Sequence, residues 1–393
     1  MKNQIRSLQN LELINPLRLN DNEATLFHFL DHAKSAMGSR YLKDWIKEPY
    51  KVIEPILDRQ RKIKSLLEST AKLELLRVKL AELYDLERLI TKVSIRSVGP
   101  LDLLRLSKSL NPIPEIFSYC DFEVFKDLLS INPMTELANQ LNQALNESVG
   151  QHVRDGDIFQ TGYNLELDEL RSIQKSGKQW LIDFEINEKN RTNIKNLKVG
   201  YNRVFGYYIE ISKGNVALVK PEFEYTRKQT LSTGERYITP SLKDMEDKIL
   251  HAQERALRLE QQLFDDLVNR VAIECRDLQK VADTLANIDA IQALAKVAFD
   301  HHYVCPEFNT LEEFDIIEGK HPILETKLSY VSNHTHFDHK QCIHLLTGPN
   351  MGGKSTYMRQ VALIVVLAQI GSFVPAKKAN LSLVDAIYTR MGA

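Results

Sequence analysis

The run Gly348-Pro349-Asn350-Met351-Gly352-Gly353-Lys354-Ser355 fits the spacing G-x-x-x-x-G-K-[ST], and these residue types at this spacing can hold phosphates. Glycine lets backbone N–H groups converge on an anion with no Cβ in the way. Lys354 can reach the β- and γ-phosphates as a point charge, and the Ser355 hydroxyl can ligate Mg²⁺. Thr356 follows at the start of an apolar stretch whose helix would add its N-terminal partial positive charge. The expected ligands are ATP and Mg²⁺, held by Gly348 through Thr356, with Ser355 on the metal.

Binding phosphate is not hydrolysing it. Hydrolysis needs a carboxylate at the end of a second apolar strand, to hold the metal and the attacking water. Asp385 is the sole acidic residue downstream of Lys354, and it precedes its apolar stretch, Ala386-Ile387-Tyr388, which is the wrong order. The expectation is a chain that carries the phosphate loop without the catalytic carboxylate and does not turn ATP over alone.

A second chemistry-bearing region lies at 196–240. Counted from Lys195, its basic residues are Lys195, Lys198, Arg203, Lys213, Lys220, Arg227, Lys228 and Arg236, against Glu210, Glu222, Glu224 and Glu235. Tyr201, Phe205, Tyr207, Tyr208, Phe223 and Tyr225 are interleaved. Such a surface suits contact with a nucleic-acid backbone, for which Lys198, Arg203, Lys213, Arg227, Lys228 and Arg236 are the candidates. On composition alone an ordinary solvated hairpin is the favoured reading.

The elements that must position these residues follow from periodicity. Ile343–Thr347 reads as a buried strand leading into the loop, and Thr356–Ile370 as an apolar helix leaving it. Leu197–Tyr201 and Val204–Ile211 are rich in β-branched and aromatic residues, with Asn202-Arg203 as a turn. Two long helices flank them. Leu170, Ile173, Trp180 and Phe184 set the stripe of the first, over about 165–194. Met245, Ile249, Ala252, Ala256, Leu259 and Leu263 set that of the second, opened by a Ser241/Asp244 capping pair. A β-rich unit between two antiparallel helices would sit at their tip. Upstream, the spacing predicts helices over Ala24–Ala36, with cap chemistry at Asn20–Glu23, and over Ile53–Leu67 and Ala71–Leu83, with breaks at Pro100, Pro112 and Pro114.

Whole-chain quantities bound the reading. The 393 residues allow two or three domains, and 43% apolar with 26% charged residues describes a globular chain. A net charge of −1 confines any nucleic-acid site to a local patch. Cys120, Cys275, Cys305 and Cys342 form no CxxC pair, which argues against a disulfide framework or cysteine zinc site and suits a reducing cytoplasm. His334, His336 and His339 read as a solvated polar loop rather than a metal site. No apolar run approaches the ~18 residues of a membrane span.

The run from Thr347 through the loop to Tyr357-Met358-Arg359-Gln360 closely resembles the nucleotide-binding loop of the MutS mismatch-repair family. In the family's order, Asn10-Leu11-Glu12-Leu13 and Met37-Gly38-Ser39-Arg40-Tyr41-Leu42 resemble the opening of its core domain, and Tyr84-Asp85-Leu86-Glu87-Arg88 a later core motif. Lys198-Val199-Gly200-Tyr201-Asn202, Gly206-Tyr207-Tyr208-Ile209 and Glu235-Arg236-Tyr237 resemble its clamp, and Glu318-Gly319-Lys320-His321-Pro322 the start of its ATPase domain.

The resemblance implies a mostly α protein with a small inserted β clamp, followed by a partial α/β P-loop domain of the ABC-ATPase type. Its parts would be a helical core and lever over 1–195, the DNA clamp over 196–240, the returning lever over 241–297 and the first part of the ATPase domain over 298–393. It further implies backbone contact with duplex DNA by the clamp, and stacking of adenine on Tyr330 or Val331. The family is a DNA-dependent ATPase, whose mismatch-reading domain and Walker B strand have no counterpart in this sequence. Asp121-Phe122-Glu123 and Glu222-Phe223-Glu224 do not fit the family's Phe-x-Glu wedge. A second copy, or another chain completing the ATPase domain, is the implied protein partner. The alternatives left open are a DNA-binding or interaction scaffold that performs no catalysis and half of a split ATPase.

Overall fold

The computed structural model describes residues 9–17, 22–202, 206–349 and 352–390. In chain order its helices are α1 (Leu26–Leu30), α2 (Ala36–Lys47), α3 (Ile53–Leu67), α4 (Thr70–Leu80), α5 (Leu86–Ser94), α6 (Pro100–Leu110), α7 (Ile113–Tyr119), α8 (Lys126–Leu129), α9 (Thr135–Ala144), α10 (Leu165–Thr192), α11 (Pro240–Ile273), α12 (Cys275–His301) and α13 (Lys354–Gln369). Strands β1 (Lys198–Asn202), β2 (Gly206–Ser212), β3 (Thr226–Thr230) and β4 (Gly234–Ile238) form one sheet. Strands β5 (Glu307–Asn309), β6 (Phe314–Gly319), β7 (Asn333–Phe337) and β8 (Lys378–Ser382) form another. The protein is therefore mostly helical with two small sheets. It divides into two compact units, Met1–Ser97 with Arg105–Ala138 and Ile273–Ala393, and Val98–Leu104 with Asn139–Ala272.

In the first unit α12 is buried on nearly every side, from Leu278 to Ala298, and α2, α3, α4 and α5 pack around it. A helix that is apolar all round belongs inside a bundle. Its one buried carboxylate, Asp289, explains a departure from the sequence reading. The helix expected over Ala24–Ala36 is broken into α1 and α2, because Asp289 accepts hydrogen bonds from the Lys34 and Ser35 N–H groups (2.9 and 2.7 Å) and from Ser35 Oγ (2.6 Å). Thr25 caps α1 and Ser35 caps α2, rather than the 20–23 stretch.

The sheet of this unit runs β5-β8-β6-β7, with β5 parallel to β8 and β6 antiparallel to both neighbours. The buried strand expected at Ile343–Thr347 is not there. The segment has no regular secondary structure and pairs with no described strand, with Ile343 84% and Leu345 88% exposed. A strand needs a neighbour's ladder, and no described strand supplies one here. His344 stacks on Phe337 at 4.1 Å. His334 and His336, expected in a loop, stand on the outer face of β7, while Thr335 between them is buried.

In the second unit α10 and α11 run antiparallel. Gly177 leaves no room for a Cβ against Ile249, and Arg255 bonds Glu166 at 2.8 Å. The α11 seam begins as expected with Ile249, Ala252 and Ala256. It then continues through Glu260 and Phe264, not Leu259 and Leu263, because a helix of 3.6 residues per turn drifts off a strict heptad. Its cap is Thr239, whose hydroxyl accepts the Leu242 N–H at 3.2 Å. Pro240 takes the first helical position, which displaces the expected Ser241/Asp244 pair. One face of β1-β2-β4-β3, with Ile209, Ile211 and Tyr237, packs on Ile194, Leu197 and Leu242 with Trp180 and Phe184. That fixes the sheet to one end of the helix pair.

Candidate functional site

The phosphate-loop candidates gather at the N-terminus of α13. Gly348 has φ +153° and Gly353 φ +80°, conformations that favour glycine at both ends of the loop. Between them the Gly352 N–H bonds the Pro349 carbonyl at 3.1 Å, and a Cβ on Gly352 would come to 3.0 Å from that oxygen. Asn350 and Met351 lie outside the described residues. Gly353 caps α13 without a side-chain acceptor, and the first intrahelical bond runs from the Tyr357 N–H to the Gly353 carbonyl at 2.9 Å. The N–H groups of Lys354, Ser355 and Thr356 thus precede the helix ladder. No acidic residue stands in this first turn. Lys354 Nζ folds back to donate to the Gly348 carbonyl and to Pro349 O at 2.9 Å, while Ser355 is exposed and Thr356 half-buried. The cation, the open amides and the hydroxyl are together on one helix turn, which is a donor set that fits a phosphate and its metal.

The side wall is built from α13 itself. Gln360 is fully buried, and its Oε1 accepts from the Tyr330 hydroxyl at 2.9 Å and from Asn333 Nδ2 at 3.1 Å. Burial, with Glu325's charge, raises the Tyr330 pKa, so the hydroxyl stays a donor. Val331, beside it, is 81% exposed. Arg359 reaches Glu12 at 3.2 Å. Burial, and Arg359 nearby, lower His321 to about 4, and the neutral ring's Nδ1 faces the Ile323 and Leu324 N–H groups. The sequence reading gave Arg359 and Gln360 no role beyond the motif that contains them, and passed over Gln369. The available signal was polar side chains persisting beyond the first turn of a helix whose remainder is apolar, since buried polar groups demand partners.

The clamp candidates separate into two groups. Arg236 is committed within the sheet: it bonds Glu210 and Gln229, each at 3.0 Å, and lies 4.2 Å over the Tyr208 ring. Arg227 pairs with Glu235 at 3.2 Å. Lys198, Lys213 and Lys228 are exposed, and no acidic group stands within ion-pair distance of them among the described residues. Lys228 sits at the register shift between Arg227 and Gln229, where β3 bulges. Arg203 lies outside the described residues. Among those that are described, no cluster of three metal-ligating side chains occurs and no helix is long and apolar enough to cross a membrane.

Comparison with known proteins adds the following. The family model for MutS domain III matches residues 6–295, and that for MutS domain V matches 344–393. The DNA mismatch repair protein MutS of Alkaliphilus metalliredigens is 41% identical over 399 residues, spanning 99% of this chain and 45% of the relative. That of Lachnoclostridium phytofermentans is 43% identical over 395 residues, 98% of this chain and 42% of the relative. That of Clostridium botulinum strain Langeland is 42% identical, over 99% and 42%. The chain thus spans less than half the length of these relatives.

Proposed function

Because this chain belongs to the MutS family, we propose that it is the core, clamp and phosphate-loop portion of a DNA mismatch repair protein, binding Mg·ATP at Gly348–Thr356 and the backbone of duplex DNA through Lys198, Lys213 and Lys228. The observation that carries the nucleotide reading is the turn Gly353-Lys354-Ser355, where a left-handed glycine opens α13 and leaves its first amides without a side-chain cap.

On this reading the Lys354 ammonium exchanges two backbone carbonyls for phosphate oxygens, which are the stronger, charge-assisted partners. Ser355 Oγ would take one place on Mg²⁺, whose charge would neutralise the β- and γ-phosphates when bound. Tyr330, held by Gln360, offers its ring as the adenine platform. Arg203, which lies outside the described residues, is a further candidate for the DNA backbone.

Asp385 is not placed for hydrolysis. Gln369 Nε2 bonds the neighbouring Val384 carbonyl at 3.0 Å, which puts Asp385 at the far end of α13 from Ser355. A helix of 16 residues is about 24 Å long. The residues gathered at the loop therefore support nucleotide binding rather than turnover. The test is titration of a fluorescent ATP analogue with Mg²⁺ into the wild type and Lys354→Ala, alongside steady-state phosphate release. Binding lost in the variant, with release equal in both, is expected. Equal binding by the two proteins would remove the assignment of the loop.

A further inference from the structure

The far end of the phosphate-loop helix is held as specifically as its near end. The last turn of α13 closes with Ser372 N–H on the Leu367 carbonyl (2.9 Å) and Gly371 N–H on Ala368 (3.0 Å), with Gly371 at φ +78°. The two remaining carbonyls turn outward to the helical core. Gln369 O accepts the Tyr50 N–H at 3.0 Å, and Ile370 O accepts from Arg59 Nη1. The Gln369 amide doubles the joint, donating to Tyr50 O (2.7 Å) and Val384 O (3.0 Å) and accepting from the Val384 N–H (3.0 Å).

Arg59 comes from α3 and is 5% exposed. Its guanidinium lies over the Trp45 ring at 3.2 Å and the Tyr50 ring at 4.8 Å, and Nη2 donates to the Tyr50 hydroxyl at 2.9 Å. No carboxylate pairs with this buried cation among the described residues; its counter-charge is the negative end of α13 and two aromatic faces. Beside the joint lies a cavity of about 290 Å³, lined by Ile46, Val365, Val366, Val384 and Ile387, which places the space along the last two turns of α13. A helix pinned at this end by directional bonds, with space beside the pin, has room to shift there, while Tyr357, Arg359 and Gln360 tie its first two turns to Thr335, Glu12 and Tyr330.

We propose that Arg59 is the pivot of α13, a positioning residue that transmits phosphate occupancy at Gly348–Thr356 to α3. The proposal rests on the nucleotide reading above. Ligand at the N-terminus of α13 shifts that end, the helix carries the shift along its length, and the Arg59 fork with the Tyr50 backbone passes it to α2 and α3.

The test uses the full chain and two readouts: affinity for a fluorescent ATP analogue with Mg²⁺, and amide hydrogen exchange with and without saturating Mg·ATP. In the wild type, nucleotide slows exchange across Ile53–Leu67 by about threefold or more, the scale of a modest coupling between sites. In Arg59→Met that response disappears while affinity stays within about threefold of wild type, and Arg59→Lys, which keeps a cation at the Ile370 carbonyl, recovers part of it. General destabilisation would raise exchange with and without nucleotide alike and leave the response in place. Should Arg59→Met fail to fold, Tyr50→Phe, which removes one acceptor of the fork, is read on the same two scales and is expected to weaken the response. A full response in Arg59→Met, or in Tyr50→Phe where that variant replaces it, overturns the pivot, as does a wild type that binds nucleotide with no change in α3. A wild type that binds no nucleotide overturns the nucleotide reading and the pivot together.

Discussion

The guanidinium of Arg40 closes a bidentate pair on Asp85, with Nη1–Oδ2 at 2.9 Å and Nη2–Oδ1 at 2.8 Å, and its Nε reaches Glu87 at 3.0 Å. Two motifs separated by more than forty residues of sequence, Met37–Leu42 and Tyr84–Arg88, thus meet in one ion-pair cluster, and Asp85 also caps α5 through the Arg88 N–H.

That pair sets a pH dependence. Burial alone would raise the Asp85 carboxyl, but the Arg40 hydrogen bonds, the Arg88 N–H and both guanidinium charges hold it below the usual aspartate range. A carboxylate depressed by folding contributes stability that is full above its unfolded pKa and is lost as pH falls through the folded one. Arg40 is 40% exposed, so Arg40→Met should cost only about 1 kcal/mol near neutral pH. The gap between wild type and variant in urea midpoint should narrow at a pH below the aspartate range. A gap that widens in acid would show that the pair is not its source.

Asp289 should tolerate almost nothing. It receives two backbone N–H groups, the Ser35 hydroxyl and Gln292 Nε2 (2.7 Å), so Asp289→Asn turns an amide donor toward donors and should cost about 2–4 kcal/mol. Gly38→Ala should be comparably damaging, since its Cβ would fall 2.3 Å from Asp289 Oδ2. Thermal melts decide it: a Gly38→Ala variant melting with the wild type would mean α2 and α12 do not approach so closely.

Cys120 should behave as an inert core residue. It is fully buried in the first unit, and burial pushes its thiol up to about 12, so almost none is thiolate at pH 8. A disulfide reagent should leave it unmodified in the native protein and label it on addition of denaturant, while the exposed Cys342 reacts at once. Labelling of Cys120 at the rate of Cys342, read by peptide mass, would contradict that packing.

The sequence made helices legible where packing agrees with local preference. The helix expected from about Ile53 to Leu67 forms there, because its apolar stripe lies on one face, and β1 and β2 fall within one or two residues of the stretches marked by aromatic and β-branched content. What it hid were groups whose partners are distant in the chain. Nothing near Ser35 announces a carboxylate arriving from residue 289, and Glu260 could not be placed on the α11 seam without knowing that Arg171 meets it at 2.5 Å. Ile343–Thr347 failed for the opposite reason: its composition is that of a strand, but strand formation is decided by a neighbour. At the candidate site the loop was legible because its spacing is local, whereas the commitment of Arg227 and Arg236 to glutamates on adjacent strands was not.

That commitment divides the clamp mutants. Lys213→Ala and Lys228→Ala remove exposed cations that pair with no acidic group among the described residues, so each should weaken duplex binding and flatten its salt dependence by a slope of about 0.9, the value for one phosphate contact. Arg236→Ala removes a side chain that bridges β2, β3 and β4 and stacks on Tyr208, so its main effect should be a loss of sheet stability. Anisotropy titrations of a labelled duplex between 50 and 200 mM salt separate the two, since that range resolves slopes differing by about one contact. Lysine variants that keep the wild-type slope would place the DNA contact on another face of the molecule. A slope change confined to Arg236→Ala, in a protein whose melting is unaltered, would mean that the arginine leaves Glu210 to meet phosphate.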